Sequence, residues 1–102
     1  MPTVHCLYYS TVQTAVGKKE ETITLPDGAT VEDVLNELVR KYGSHLARHL
    51  YSEGWIDGRY YKTAAVYVNK KRIQWLQDFP LGIKTMLQEG DELSFGLIMG
   101  GG

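Results

Sequence analysis

The residues of this 102-residue chain best suited to chemistry lie at its C-terminus, from Phe95 to Gly102. Glycine has no Cβ, so Gly100 and Gly101 can adopt backbone angles closed to other residues and pass through a channel too narrow for any side chain. The α-carboxylate of Gly102 then stands at the end of a thin, flexible stalk. We expect this end of the chain to be where the protein acts.

Three apolar residues, Leu97, Ile98 and Met99, precede the glycines. We expect them to dock on the surface of a partner, with Phe95 as a further contact. Two alternatives stay open. Small residues at a chain end are often idle because termini tolerate change, and for Phe95 packing in the core is favoured over docking.

Other residues with reactive side chains fit structural roles better. Cys6 lies in an apolar stretch, where a lone cysteine usually behaves as a small core residue rather than a nucleophile. His45 and His49 have the spacing of a helical metal pair but lack a nearby third ligand, so no metal site is expected. Residues 70–72, Lys-Lys-Arg, are typical of a solvated turn.

Composition limits the classes of function. The chain has 43% hydrophobic residues and a net charge of -1, which predicts one compact domain with no field to attract nucleic acid or an anionic membrane. No apolar run approaches a membrane span, no signal peptide is evident, and Cys6 has no disulfide partner, so we expect a cytoplasmic protein. The domain should cover residues 1–99 and the glycine tail residues 100–102.

One helix is strongly indicated. Thr30 is a typical N-cap with Asp33 in the capping-box position, and an apolar stripe at i, i+3, i+4 and i+7 continues to Tyr42 before Gly43 stops the helix. We expect this helix to pack on one face of a sheet.

The strands are indicated by β-branched and aromatic residues and by alternation. The first two should form a hairpin around a turn near Gly17, and the first and last should be parallel neighbours. Between the main helix and the third strand, we expect a short helix over residues 44–51 and a loop over residues 54–59. The predicted strands are residues 3–9, 21–25, 64–69 and 92–95, with a short strand or turn at 73–76. This order predicts an α+β roll with a mixed sheet of four to five strands and one main helix on one face.

The chain resembles the ubiquitin-like β-grasp sulfur carriers, in particular the small subunit of molybdopterin synthase and the thiamine-pathway carrier. Residues 66–69, Val-Tyr-Val-Asn, and residues 90–95, Gly-Asp-Glu-Leu-Ser-Phe, carry this resemblance together with the glycine tail. Where the molybdopterin-type carriers usually have two prolines, this chain has Gly96 and Leu97, and it ends in three glycines rather than two.

The resemblance implies a carrier without an active site of its own. A partner adenylating enzyme of the ubiquitin-activating (E1-like) type would use ATP to form an acyl-adenylate at Gly102. A sulfur donor such as a cysteine desulfurase or rhodanese-type protein would convert this to a thiocarboxylate, and a large synthase subunit would use the sulfur. The chain has no phosphate-binding loop motif, and no bound cofactor is expected.

Length favours the molybdopterin pathway, because the thiamine carriers are typically shorter and lack a middle insert. Three alternatives remain. The chain could be a thiamine-pathway carrier, a ubiquitin-like modifier that forms isopeptide bonds through Gly102, or a β-grasp interaction module with an idle tail.

Overall fold

The computed structural model describes residues 1–96, apart from the side chains at positions 52, 53 and 61–63. The predictions for residues 97–102 therefore lie outside the described residues. The helices are α1 (Ser10–Val16), α2 (Val31–Tyr42) and α3 (Ala47–Leu50), with 3₁₀ turns at Ser44–Leu46 and Gly82–Lys84. The strands are β1 (Thr3–Tyr8), β2 (Glu20–Thr24), β3 (Tyr51–Ile56), β4 (Arg59–Ala64), β5 (Val66–Val68), β6 (Lys71–Arg72) and β7 (Glu92–Phe95).

A mixed sheet of five strands, in the order β2-β1-β7-β5-β6, forms the centre of the fold. The first and last strands, β1 and β7, are parallel neighbours with Tyr8 opposite Phe95. The other neighbours in the sheet pair antiparallel. The predicted α+β class, the strand number and the parallel pairing are confirmed.

The main helix, α2, begins and ends where the sequence indicates. The Thr30 hydroxyl accepts the backbone N–H of Asp33, and the Asp33 carboxylate accepts that of Thr30, which completes a capping box. The residues Val31, Val34, Leu35 and Leu38 are fully buried against the sheet. Burial of each such side chain contributes roughly 1.5–3 kcal/mol, so this face holds the helix in place.

The first two strands pair as predicted, but the prediction that a tight turn connects them is wrong. Strands β1 and β2 do pair antiparallel, with Cys6 opposite Glu21, but helix α1 lies between them. Gly17 ends this helix with φ 87°, so the expected turn is a helix C-cap. The helix is held by Val12 and Val16, which are buried in the core.

The predicted loop at residues 54–59 is also wrong. Strands β3 and β4 pair antiparallel as a separate two-stranded ribbon, joined by Asp57 and Gly58. Both residues have positive φ, 50° and 77°, as a two-residue type I′ turn requires. The ribbon follows the 3₁₀ turn at Ser44–Leu46 and helix α3, so the helix predicted for residues 44–51 is confirmed up to Leu50.

The region between β5 and β7 differs in detail from the prediction. The turn after β5 is made by Asn69 and Lys70, both with positive φ, and Lys71–Arg72 already forms β6. For residues 73–76, where the sequence predicts a short strand or a turn, the structure has a turn. Within residues 1–96, no helix is both long and apolar enough to cross a lipid bilayer.

Candidate functional site

The C-terminal segment leaves the sheet at a defined edge. Because β1 and β7 are parallel, their carboxyl ends lie at the same edge. There the Tyr9 N–H donates to the Phe95 carbonyl at 3.0 Å, and the Gly96 N–H donates to the Ala65 carbonyl at 3.3 Å. These two bonds fix the backbone from which residues 97–102 continue, and we call this place the tail exit.

Gly96 is required at the tail exit by its geometry. Its φ is +100°, and a Cβ added there would lie 2.4 Å from the Tyr9 carbonyl oxygen and 3.3 Å from Val12 Cγ2. Real Cβ atoms do not approach a backbone oxygen so closely, and L-residues rarely adopt this φ. Gly96 is therefore pressed against the start of α1, a constraint that sequence reasoning missed because it depends on a neighbour 87 positions away.

Phe95 belongs to the core. Its side chain is fully buried, and its ring lies 5.9 Å from that of Tyr8 in a tilted arrangement. The prediction that Phe95 contacts a partner is wrong, because a fully buried ring presents no surface, and the alternative of core packing is confirmed. The docking role of Leu97, Ile98 and Met99 and the roles of Gly100, Gly101 and Gly102 stay predictions, since these residues lie outside residues 1–96.

The sheet face opposite α2 is polar. On it, His5 Nε2 lies 3.0 Å from a Glu20 carboxylate oxygen, and Arg72 Nε donates to the Tyr67 hydroxyl at 3.2 Å. Lys70 is exposed at the tip of the β5–β6 turn, and Lys71 lies 3.5 Å from Asp78. The basic residues 70–72 are thus exposed, as the sequence predicts, although only Lys70 belongs to the turn and Lys71–Arg72 form β6.

A single carboxylate, Glu21, gathers several donors at the edge of the core. The Tyr8 hydroxyl donates to it at 2.6 Å and Lys41 Nζ at 2.7 Å, and the Tyr42 hydroxyl donates as well. Burial acts to raise the pKa of Glu21, but the bonds from Lys41, Tyr42 and Tyr8 outweigh it and lower the pKa to about 2. This cluster ties β2 to β1 and α2, and its role is structural.

Cys6 is not activated as a nucleophile. It is fully buried, and desolvation, followed by the nearby Glu21 charge, raises the pKa of its thiol to about 12. A thiol that holds its proton reacts poorly, so the predicted core role is confirmed. His45 is exposed and His49 half-buried, and in residues 1–96 no group of three or more His, Cys, Asp or Glu side chains is placed to hold a metal ion.

The sheet order, the parallel first and last strands and the helix packed on one face define the ubiquitin-like β-grasp class of fold. The chain belongs to the ThiS family, whose model matches residues 6–102. The resemblance found in the sequence is thereby confirmed. No curated protein matches the chain significantly.

Solved structures support the same fold. The putative molybdopterin converting factor, subunit 1, from Pyrococcus furiosus has a TM-score of 0.68 and 22% identity, with 96% of this chain and 100% of that chain covered. The HVO 2177 protein of Haloferax volcanii has a TM-score of 0.67 and 27% identity, over 97% and 87% of the chains. The small archaeal modifier protein 1 of Methanosarcina acetivorans has a TM-score of 0.67 and 24% identity, over 100% and 98%.

Proposed function

We propose that this protein is a sulfur carrier that works through a thiocarboxylate at Gly102. The observation that carries the proposal is the match to the ThiS family, which runs through the glycine tail to residue 102. The tail exit supports it, because the hydrogen bonds at Phe95 and Gly96 hold in the sheet the residues that directly precede the tail. In this proposal, partner proteins recognise the folded body, and the tail carries the reacting carboxylate.

The chemistry needs an activating partner. A carboxylate is a weak electrophile, so its oxygen must first become a good leaving group. In this proposal, the Gly102 carboxylate attacks the α-phosphate of ATP on an adenylating enzyme, and pyrophosphate leaves. A persulfide sulfur then attacks the carbonyl carbon, AMP leaves, and a thiol cleaves the sulfur–sulfur bond to release the thiocarboxylate.

No side chain of this protein takes part in these steps. ATP is bound by the adenylating enzyme, and the persulfide belongs to a cysteine desulfurase or rhodanese-type donor. The protein is a carrier and not an enzyme, and it acts in the cytoplasm, where ATP and these partners meet. The buried Cys6 with its raised pKa fits this division of labour.

The receiving pathway in this proposal is molybdopterin synthesis, with a large synthase subunit as the sulfur user. Its support is the length of the chain and the insert of α3 and the β3–β4 ribbon between α2 and β5. The shorter thiamine carriers lack such an insert, so the thiamine pathway is the second choice.

An intact-mass measurement tests the proposal. The protein is incubated with ATP, a sulfur donor and the purified adenylating enzyme of the same organism. We expect one oxygen to be replaced by sulfur, and the change should be absent from a variant that lacks Gly102. If wild type forms neither an adenylate nor a thiocarboxylate, the carrier proposal is wrong.

A second candidate is a protein modifier whose Gly102 forms isopeptide bonds with lysines. The fold supports it equally, since the modifier protein of Methanosarcina acetivorans shares it. A modifier predicts a ladder of high-mass conjugates in cell extracts that disappears when Gly101 and Gly102 are deleted. A carrier predicts no such ladder.

A further inference from the structure

The five-stranded sheet ends at Gly96 on the side of β1. The last bond of the parallel ladder runs from the Tyr9 N–H to the Phe95 carbonyl at 3.0 Å. In a longer ladder, the Tyr9 carbonyl would accept the N–H of the residue that follows Gly96. That carbonyl already accepts the N–H groups of Val12 at 3.1 Å and Gln13 at 3.3 Å, which begin helix α1. Because a carbonyl oxygen has two lone pairs, α1 has used the acceptor that the next residue would need.

The sheet also ends at Gly96 on the side of β5. The antiparallel register, with Val66 opposite Phe95, places Ala65 opposite Gly96. The Gly96 N–H donates to the Ala65 carbonyl at 3.3 Å, and a regular ladder would return a bond from the Ala65 N–H to the Gly96 carbonyl. The Ala65 N–H instead donates to the Leu50 carbonyl at 2.7 Å, at the end of α3. Both neighbours of β7 have therefore used the groups that would bind the chain beyond residue 96.

The backbone of Gly96 leaves the strand conformation at the same position. Its φ of +100° lies in the left-handed region, whereas strand residues have negative φ. The Tyr9 oxygen that accepts the α1 bonds also blocks the position of a Cβ on Gly96. Hydrogen bonding and backbone conformation thus end the sheet at one residue, and the start of α1 takes part in both.

We propose that Gly96 is a positioning residue for the reaction at Gly102, because it sets the direction in which the C-terminal tail, residues 97–102, leaves the folded body. The inference rests on the proposed function and adds a residue that touches none of the reacting atoms. The tail has six residues and spans at most about 20 Å when extended. A change of direction at its first bond therefore displaces the carboxylate, and a displacement of about 1 Å is enough to slow a reaction.

Three alanine variants separate position from stability. Gly96→Ala adds a Cβ where the Tyr9 oxygen lies. Gly28→Ala is the matched control, because Gly28 also has positive φ, +85°, but nothing within 4 Å of its Cβ position. Val34→Ala is the stability control, since it removes two methyl groups from a fully buried position in α2. Gly96→Asn is a second test variant should Gly96→Ala fail to fold, because asparagine adopts positive φ more readily.

The activity assay is ATP–pyrophosphate exchange by the purified adenylating enzyme, with the carrier concentration varied. The temperature is one at which circular dichroism shows every variant folded. We expect Gly96→Ala to lower kcat about tenfold, because the carboxylate is misplaced, while KM stays within about twofold because the folded body is unchanged. Gly28→Ala and Val34→Ala should keep both constants within about twofold of wild type. Wild-type kcat in Gly96→Ala, or an equal loss in Val34→Ala, would overturn the proposal.

A second measurement reports the direction of the tail without any chemistry. A nitroxide is attached at position 102 in a Gly102→Cys variant, while Cys6 is fully buried and stays unlabelled. The label broadens the NMR signals of nearby backbone amides in the folded body. We expect the set of broadened amides to change when Gly96→Ala is added and to stay the same with Gly28→Ala.

The two measurements fail separately. An unchanged set of broadened amides in Gly96→Ala would overturn the inference, whatever the activity of the variants. A changed set, in a protein whose wild type forms no adenylate, would support Gly96 as the residue that directs the tail and contradict the proposed function.

Discussion

Gly96 is the residue at which the folded body of the protein meets its C-terminal segment. It closes β7 and donates to Ala65, and its backbone lies so close to the Tyr9 carbonyl that no side chain fits. Carriers of the molybdopterin type usually stiffen this place with proline. In this protein, Gly96 packs closely against Tyr9, just before α1, and this contact holds the backbone without a proline.

Replacement of Gly96 by alanine should destabilise the protein by about 2–3 kcal/mol, because both the positive φ and the contact with Tyr9 oppose a Cβ. Chemical denaturation measures this change. Gly28→Ala is the control, since Gly28 has φ +85° but open space around its Cβ position. It should cost about 1 kcal/mol, for the backbone angle alone. If both variants lost the same stability, the contact between the added Cβ at position 96 and Tyr9 would contribute nothing to the loss.

Glu21 makes the stability of the protein depend on pH. Its pKa falls from 4.5 to about 2 in the folded state, because hydrogen bonds from Lys41, Tyr42 and Tyr8 outweigh its burial. A lowered folded pKa adds stability above pH 4.5, and this stability is lost as the pH falls from there towards 2. Glu21→Gln should lower the stability at neutral pH by about 1–2 kcal/mol, as expected for hydrogen bonds to a charged group.

The same variant should flatten the acid limb of the stability profile, which thermal unfolding at several pH values measures. Glu37→Gln is the control, because Glu37 pairs with Arg40 on the helix surface, where solvent screens the interaction. Its profile should follow that of wild type. An unchanged acid limb in Glu21→Gln would show that other carboxylates govern acid unfolding.

At the scale of elements, helix α2 illustrates what a sequence determines by itself. The capping box, the apolar stripe and the stop are all local, and all are present in the structure. Strands β1, β5 and β7 were likewise predictable, because buried strands concentrate β-branched and aromatic residues.

The capping of α2 yields a prediction at this scale. Thr30→Ala removes the oxygen that accepts the Asp33 N–H and should cost about 1 kcal/mol of stability. Asn36→Ala, at an exposed position in the middle of the same helix, should be neutral or slightly stabilising because alanine favours helix. Denaturant midpoints compare the two, and a loss in both would point to surface effects unrelated to the cap.

Helix α1 and the ribbon were not predictable in the same way. The sequence Ser-Thr-Val-Gln-Thr-Ala-Val of α1 is rich in β-branched residues, and its N-terminus has no side-chain cap. Packing of Val12 and Val16 outweighs this weak local preference, as tertiary contacts often do. The ribbon depends on the two-residue turn at Asp57 and Gly58, a short signal within a segment of irregular hydrophobicity.

For the candidate site, the sequence indicated the tail but not its surroundings. The glycine run can be read directly from the sequence. The tail exit, in contrast, is formed by Tyr9, Ala65 and Gly96, which come together only when β1, β5 and β7 pair. Contacts between residues so far apart in the chain are set by topology, which hydrophobic periodicity does not encode.

At the scale of the whole molecule, residues 1–96 form one folded body from which the C-terminal residues continue. One hydrophobic core joins the sheet, the main helix and the short helices, and the Glu21 cluster links β1, β2 and α2 at its edge. The tail exit lies at the edge of the sheet where β1 and β7 end, next to the start of α1. In the proposed function, a partner would recognise this folded body while the chemistry takes place at Gly102.

The central claim, that Gly102 carries sulfur, is tested most directly on the protein as cells make it. The chain is tagged at its N-terminus and isolated from the source organism, and its intact mass and C-terminal fragments are measured. The account predicts a fraction in which sulfur replaces one oxygen at Gly102, together with free carboxylate. Detection of Gly102 only as free carboxylate or in isopeptide bonds to lysines, under conditions in which the adenylating enzyme is active, would contradict it.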